Sequence, residues 1–410
     1  MRHMLRKIKK IDTLPIVFNY AFLFGVVFIF VLFIGLMKYK IIGIGGSFDY
    51  LILSFLFYLP FLLLFFISLN YQKNCNKQEI SISKKELFLA RILFVIGQIY
   101  YIKLPYIFLA NGGFSGLYLL RFEIKKSLNV YFGSIAFVFC IIGITYELVA
   151  ACNNNKKNIR NYVKFYMMLI FLVIEQSLTG SRSLLFVLFF ILTFILIRMK
   201  KISIFLISIC SFFSIFIFGF IGYLRIASDP SVLLWWVDNG YFNENDSVFS
   251  MSLAIIINTV SDIFYRGYSV VNGVFNGDLG LKYGYVSFFF LMSALPGVQE
   301  DPSIYLNQYF FQGSYDDVAY PPTLIGQLIW DFGLYGVFLG SIVLALCGFF
   351  LLKMSLNSSS PIFTVIYSLF VIQLLLSVYG VFNFGWFIAN TIAFLVVTVS
   401  MRFIVNKNLI

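Results

Sequence analysis

Long apolar runs recur along the chain, separated by short clusters rich in lysine, arginine, asparagine or glycine. A helix needs about 20 mostly apolar residues to cross a bilayer. The pattern predicts about ten such helices, over residues 14–37, 48–70, 87–110, 130–151, 164–179, 183–198, 202–226, 322–352, 361–380 and 382–401. The stretch ahead of the first run, MRHMLRKIKK, is basic, and no small-residue cleavage site follows it. That combination predicts a retained first helix rather than a signal peptide.

Between the seventh and eighth runs the rhythm changes. Residues 247–267, SVFSMSLAIIINTVSDIFYRG, read as an apolar helix, with Asp246 or Ser247 in the capping position. Residues 283–297, YGYVSFFFLMSALPG, are apolar but too short to span comfortably. Both are expected to lie in the interface or to re-enter the membrane. Trp235 and Trp236 just ahead of them suit an interfacial aromatic belt. Three parts follow: a bundle over 1–226, a large extracytoplasmic segment over 227–321, and a second set of spanning helices over 322–410. Two further stretches stand out. NGGFSGLYLLRFEIKKSLN (111–129) joins a glycine-rich turn to basic residues. YPPTLIGQLIWDFGLYGVFLG (320–340) opens the eighth span with a proline pair, glycines that permit close helix approach, and Asp331.

Composition agrees with the pattern. Hydrophobic residues make up 60% of the chain and charged residues 12%, against roughly 25% charged in a soluble domain. The expected fold class is an all-α polytopic membrane protein. The net charge of +12 then follows from topology. With the N-terminus inside, most of the basic residues fall on the cytoplasmic side, in groups around Arg2–Lys10, Lys73–Lys85, Lys156–Lys164, Arg198–Lys201, Lys353 and Arg402–Lys407. No nucleic acid is needed to explain them. The 227–321 segment is acidic, with ten carboxylates against Arg266 and Lys282. The five cysteines show no CxxC pairing, and His3 is the single histidine. A thiol-ligated zinc site, a disulfide framework and a multi-histidine metal centre are all disfavoured.

The remaining charges are candidates for chemistry, because ionised groups inside a membrane are costly. LTGSRSLLF (178–186) places Arg182 in a tight reversal between two apolar runs. Ser181 or Ser183 would cap the returning helix, whose exposed N–H groups attract anions. A guanidinium beside them forms a fork suited to phosphate. Arg266 sits four residues after Asp262, which allows a same-face ion pair. Arg121 and Arg225 are further outer-side arginines, and either anchors at the headgroups or binds an anion. Arg91 and Lys103 lie within the third span, with Glu175 as their expected partner; Glu175 alternatively serves as a general base. Several arginines near one leaflet suit an enzyme acting on a lipid-linked phosphate or pyrophosphate, whose departing charge they would stabilise.

On these features the chain resembles the O-antigen (oligosaccharide repeat-unit) polymerases, the Wzy family. The resemblance rests on TGSRS (179–183) between two spans, the large outer loop with Arg266, and YPPTLIGQLIWDFGLYG (320–336). Members carry an outer-loop arginine followed by glycine after ten intervening residues, a spacing met here by Arg266 and Gly277. The loop of Arg121 departs from it, with Phe132 at the matching position and Gly133 one late. The resemblance implies a membrane-embedded fold of GT-C type. It implies an enzyme of the bacterial cytoplasmic membrane that joins undecaprenyl-pyrophosphate-linked oligosaccharides at the outer face, without metal or other cofactor. A chain-length regulator protein is the implied partner besides the bilayer. Arg182 and Arg266, then Arg225 and Arg121, would hold the pyrophosphate with Ser181, Ser183 and Asp331. The base would come from Asp262, Glu175, Asp316 or Asp331.

Other classes fit less well. The related O-antigen ligases rely on a histidine in the large outer loop, and this chain has only His3. The same absence disfavours acyltransferases with a catalytic histidine. A flippase or transporter is expected to show repeat-like halves and short loops. A non-catalytic scaffold would not need several outer arginines.

Overall fold

A computed structural model describes residues 19–42, 47–75, 78–110, 130–153, 160–178, 182–202, 247–293, 301–311, 321–380 and 382–407, with isolated pairs between 219 and 238. The elements are α1 Tyr20–Ile42, α2 Ser47–Asn74, α3 Lys84–Tyr101, α4 Leu104–Ala110, α5 Val130–Asn153, α6 Arg160–Leu178, α7 Arg182–Arg198, α8 Val248–Phe275, α9 Tyr285–Met292, α10 Pro302–Phe311, α11 Leu324–Asn357, α12 Pro361–Tyr379 and α13 Phe384–Lys407. Among the described residues every regular element is a helix, and seven helices are long and apolar enough to cross a membrane. The chain is thus a multi-pass helical membrane protein. The predicted seventh span, 202–226, lies almost wholly outside the described residues.

Two apolar cores share α7 and α12. Ile362, Val365, Ile366, Leu369 and Ile372 face a core built with α3, α5, α6, α7 and α13. Tyr367, Phe370, Val371, Leu374 and Val378 face a second core built with α1, α2, α8 and α11. Both sets follow the helical period on opposite sides of α12, so α12 is buried all round. Its residues are accordingly apolar on every face. α5 is buried in the same way, with 83% of its apolar window enclosed against 28% for α2 and α3. The less enclosed helices carry their exposed Phe, Leu and Ile outward, as lipid-facing surfaces do.

Small residues set the closest contact. A Cβ on Gly97 of α3 would lie 2.7 Å from the Ala136 carbonyl oxygen of α5, and one on Gly143 would lie 2.9 Å from the Ala90 carbonyl oxygen. The pairs recur after seven residues on each helix and run in opposite directions. The two backbones therefore pack antiparallel at a distance that a larger side chain would prevent.

Three expectations are corrected. The third span, expected over 87–110, is long and apolar enough to cross a membrane over Lys84–Ile107, but it is interrupted at Ile102–Lys103 between α3 and α4. Pro105 just beyond lacks an N–H and cannot continue the α3 ladder. The eighth span is not one straight helix either. Gly333 has φ 65° and ψ −156°, a conformation open to glycine but strained for other residues. A Cβ on Gly336 would lie 2.2 Å from the Leu328 carbonyl oxygen, and one on Gly340 would lie 2.9 Å from Leu328 Cδ2. Eight residues on a straight helix are about 12 Å apart, so Leu324–Phe332 folds back on the helix after it. The freed carbonyls of Trp330 and Asp331 accept the backbone N–H groups of Lys282 and Tyr283, both at 2.9 Å. Third, the apolar helix expected at 247–267 runs on to Phe275. It is long enough to cross a membrane and is docked on α1 and α11 rather than standing apart. Ser247 does cap it, accepting from Ser250 N at 3.1 Å. Among the described residues, the apolar piece at 283–297 yields α9, eight residues long.

Candidate active site at the far end of the bundle

The helix ends fall into two groups. One end gathers the C-termini of α2, α5, α7, α11 and α13 with the N-termini of α3 and α12, and much of the described positive charge. Arg198 reaches across it, donating to the carbonyls of Ser355 (3.3 Å), Leu356 (2.7 Å) and Gln78 (2.5 Å). Asn153 donates to the Ile80 carbonyl at 3.1 Å. Glu86 closes a capping box with Ser83 and pairs with Arg402 at 3.6 Å. Here the cations are used to hold helix ends together.

The opposite end holds the sequence-derived candidates. α7 begins at Arg182 and ends at Arg198 on the basic rim, so Arg182 stands at the far end. Ser183 falls inside the first turn of α7 rather than ahead of it. Gly180 and Ser181, and the side chains of Arg182 and Ser183, lie outside the described residues, as do Arg121, Arg225, Trp235, Trp236 and Asp316.

Arg266 and Asp262 lie one turn apart on α8, both half-buried. The next residue, Gly267, lets α8 approach the far end closely: a Cβ there would lie 2.2 Å from the Tyr50 hydroxyl and 2.6 Å from Thr323 Oγ1. Gly277, ten residues beyond that, has φ 80°, and its N–H bonds the Val274 carbonyl at 3.2 Å. Its place after Arg266 therefore has a local cause, the left-handed turn that stops α8.

Asp331 is fully buried and fully engaged. It accepts from the backbone N–H groups of Gly284 (3.1 Å), Val286 (3.0 Å) and Ser287 (2.8 Å), and from Ser287 Oγ (2.5 Å). The carboxylate thus caps α9, satisfying the N–H groups that a helix start leaves unpaired. Gln327 extends the tie, donating to Ser287 Oγ and to the Phe382 carbonyl, both at 3.0 Å, while its own oxygen accepts from Phe382 N at 2.7 Å. Close by, the Lys282 ammonium sits 4.2 Å from the Tyr305 ring centre and 5.6 Å from that of Trp330. In sequence Lys282 was simply one outer-side charge.

The expected partnership of Glu175 with Arg91 or Lys103 does not form. Arg91 makes two bonds to Glu147, at 2.7 and 2.9 Å. Glu147 lies in a span read as plain, and sequence reading missed it; a lone acid inside an apolar run was the available signal. Arg91 and Glu147 lie nearer the basic rim, six residues before the α5 C-terminus and seven after the start of α3, whereas Glu175 is three residues from the far end of α6. Distance along parallel depths keeps them apart. Lys103 is exposed in the turn between α3 and α4. Glu175, half-buried, accepts instead from Gln98 Nε2 at 2.9 Å.

At one end, then, lie a helix start bearing an arginine, a second arginine on α8, and a half-buried carboxylate. The arginines are of a kind that holds an anion, and the carboxylate of a kind that accepts a proton. Among the described residues, no cluster of histidine, cysteine or carboxylate suits a metal ion. No family model matches the chain, and neither a curated protein nor a solved structure is similar to it.

Proposed function

We propose that the chain is a polysaccharide repeat-unit polymerase. It joins undecaprenyl-pyrophosphate-linked oligosaccharides at the outer face of the cytoplasmic membrane, in a GT-C-like fold of about ten spans. The observation that carries this reading is the placement of the Arg182 helix start and of Arg266 at the end of the bundle opposite the basic rim. The positive-inside rule puts the basic rim in the cytoplasm, and the far end then meets the outer leaflet. A lipid-linked pyrophosphate sits at that level while its tail stays in the bilayer.

In the reaction, a sugar hydroxyl of one unit attacks C1 of the reducing-end sugar of the growing chain. The bond from C1 to the pyrophosphate oxygen breaks, and the electron pair leaves with undecaprenyl pyrophosphate. Arg182 and Arg266 stabilise the charge that develops, with Arg121, Arg225, Ser181 and Ser183 as further contacts. Asp331 contributes by fixing α9 and the folded-back half of α11 above the site.

Deletion of the gene in its host, with surface polysaccharide separated on a gel, tests the reading. A polymerase null leaves a single repeat unit on the acceptor; unchanged polymer sinks the proposal. Arg182→Lys keeps the charge and loses the fork. Polymer should fall at least tenfold at normal protein level, and full activity would remove Arg182 from the site.

A further inference from the structure

Gln98 offers a feature that the polymerase reading does not yet use. Its amide nitrogen donates to two acceptors, Glu175 Oε2 at 2.9 Å and Cys140 Sγ at 3.4 Å. Both N–H groups of the amide are thereby committed, and the nitrogen side of the amide must face Glu175. Three helices meet at this point: Gln98 from α3, Cys140 from α5 and Glu175 from α6. Gln98 stands three residues before the end of α3, and Glu175 three residues before the end of α6. At 1.5 Å per residue each of the two lies about one turn from the end of its own helix, and Glu175 stands seven residues before Arg182. Tyr101, one turn on from Gln98, donates to the Gly133 carbonyl at 3.2 Å and lies beside Gln176. The neighbouring titratable groups are thus Tyr101 and Cys140, both uncharged at neutral pH.

The carboxylates at this end differ in what they have left to give. Asp331 spends both oxygens on four donors. Asp262 shares a helix face with Arg266. Glu175 spends one oxygen on a neutral amide, and among the described residues its Oε1 has no partner.

We infer that Glu175 is the general base of the outer-face transfer and that Gln98 is its positioning residue; this rests on the polymerase reading above. In the step, the acceptor hydroxyl oxygen forms a bond to C1, the C1–O bond to pyrophosphate breaks with its electrons on the leaving group, and the hydroxyl proton passes to Glu175 Oε1. The acid then returns the proton to water. Gln98 holds Oε2, so that Oε1 points at the acceptor.

The test uses the full chain in lipid vesicles, supplied with undecaprenyl-pyrophosphate-linked repeat units, with kcat, KM and thermal unfolding measured together. Glu175→Gln should fold normally and lose about 100- to 10,000-fold in kcat, the usual share of a general base, with KM within about threefold. Gln98→Met should lower kcat about tenfold and leave KM unchanged. The exchange Gln98→Glu with Glu175→Gln keeps an amide–carboxylate bond between α3 and α6, so it should fold as the wild type does. It should stay inactive, because the carboxylate now stands on the wrong helix. Wild-type kcat in Glu175→Gln, or recovery of wild-type kcat in the exchange, overturns the inference and reduces the pair to a structural tie. Polymer-forming wild type with active Glu175→Gln removes only the base; a wild type that makes no polymer from these units removes the polymerase reading as well.

Discussion

Asp331 and Glu175 lie toward the same end of one bundle and are treated in opposite ways. Asp331 is saturated by four donors from a single turn of chain and sees no solvent. Glu175 is half-buried and, among the described residues, bonds Gln98 alone. The difference separates a carboxylate that builds structure from one that keeps capacity for another molecule. Burying a charge is costly unless hydrogen bonds replace its water. A fully satisfied carboxylate therefore has little left to offer a substrate, and removing it exposes every donor it held. The Arg91–Glu147 pair belongs with Asp331 on this scale, since Glu147 is enclosed, with 4% of its side chain exposed, and bound through both oxygens.

The contrast can be broken by substitution. Asp331→Ala should have the largest effect on stability, because it strands buried N–H groups at about 1–3 kcal/mol each. Thermal unfolding in detergent should show a loss on the order of 4 kcal/mol, and polymer should fall only as far as folded protein does. Normal stability would mean that α9 finds other partners and that Asp331 is not its anchor. Glu147→Gln comes next. Breaking a buried pair costs about 3–5 kcal/mol, and the partial exposure of Arg91 places the expected loss near about 3 kcal/mol in the same measurement. Glu175→Gln should be smallest in stability, within about 1 kcal/mol, since two amides still bond. It should have the largest effect on polymer formation. A large loss of stability there would place Glu175 beside Asp331 and erase the contrast.

What the sequence made legible follows from what is local. Apolar runs, the Ser247 cap and the shortness of the 283–297 piece depend on neighbours a few residues away, and the structure keeps them. The reversal at Gly333 does not. Its cause is partly a glycine, which sequence reading noticed, and partly two N–H groups at Lys282 and Tyr283, some fifty residues earlier, which no periodicity reports. Asp331 is a candidate for binding only through the resemblance; its four donors come from residues 284–287. Glu175 was matched with Arg91 on charge alone, and the relative depth of α3, α5 and α6 decided otherwise. For Arg182, sequence and structure agree on a helix start at the far end and reach no further, since its side chain lies outside the described residues.

The double-faced burial of α12 has a consequence for how the protein is made. Both apolar cores draw on residues 361–379, which leave the ribosome after α1 to α11. Until then α1, α2 and α11 on one side and α3, α5 and α6 on the other meet through α7, whose Phe194 and Ile197 face the second core and whose Arg198 bonds the end of α11. Both cores therefore stay incomplete in the bilayer until α12 arrives. Chains interrupted before Pro361 should persist with two unfinished cores, open to membrane proteases, rather than as a smaller version of the finished protein.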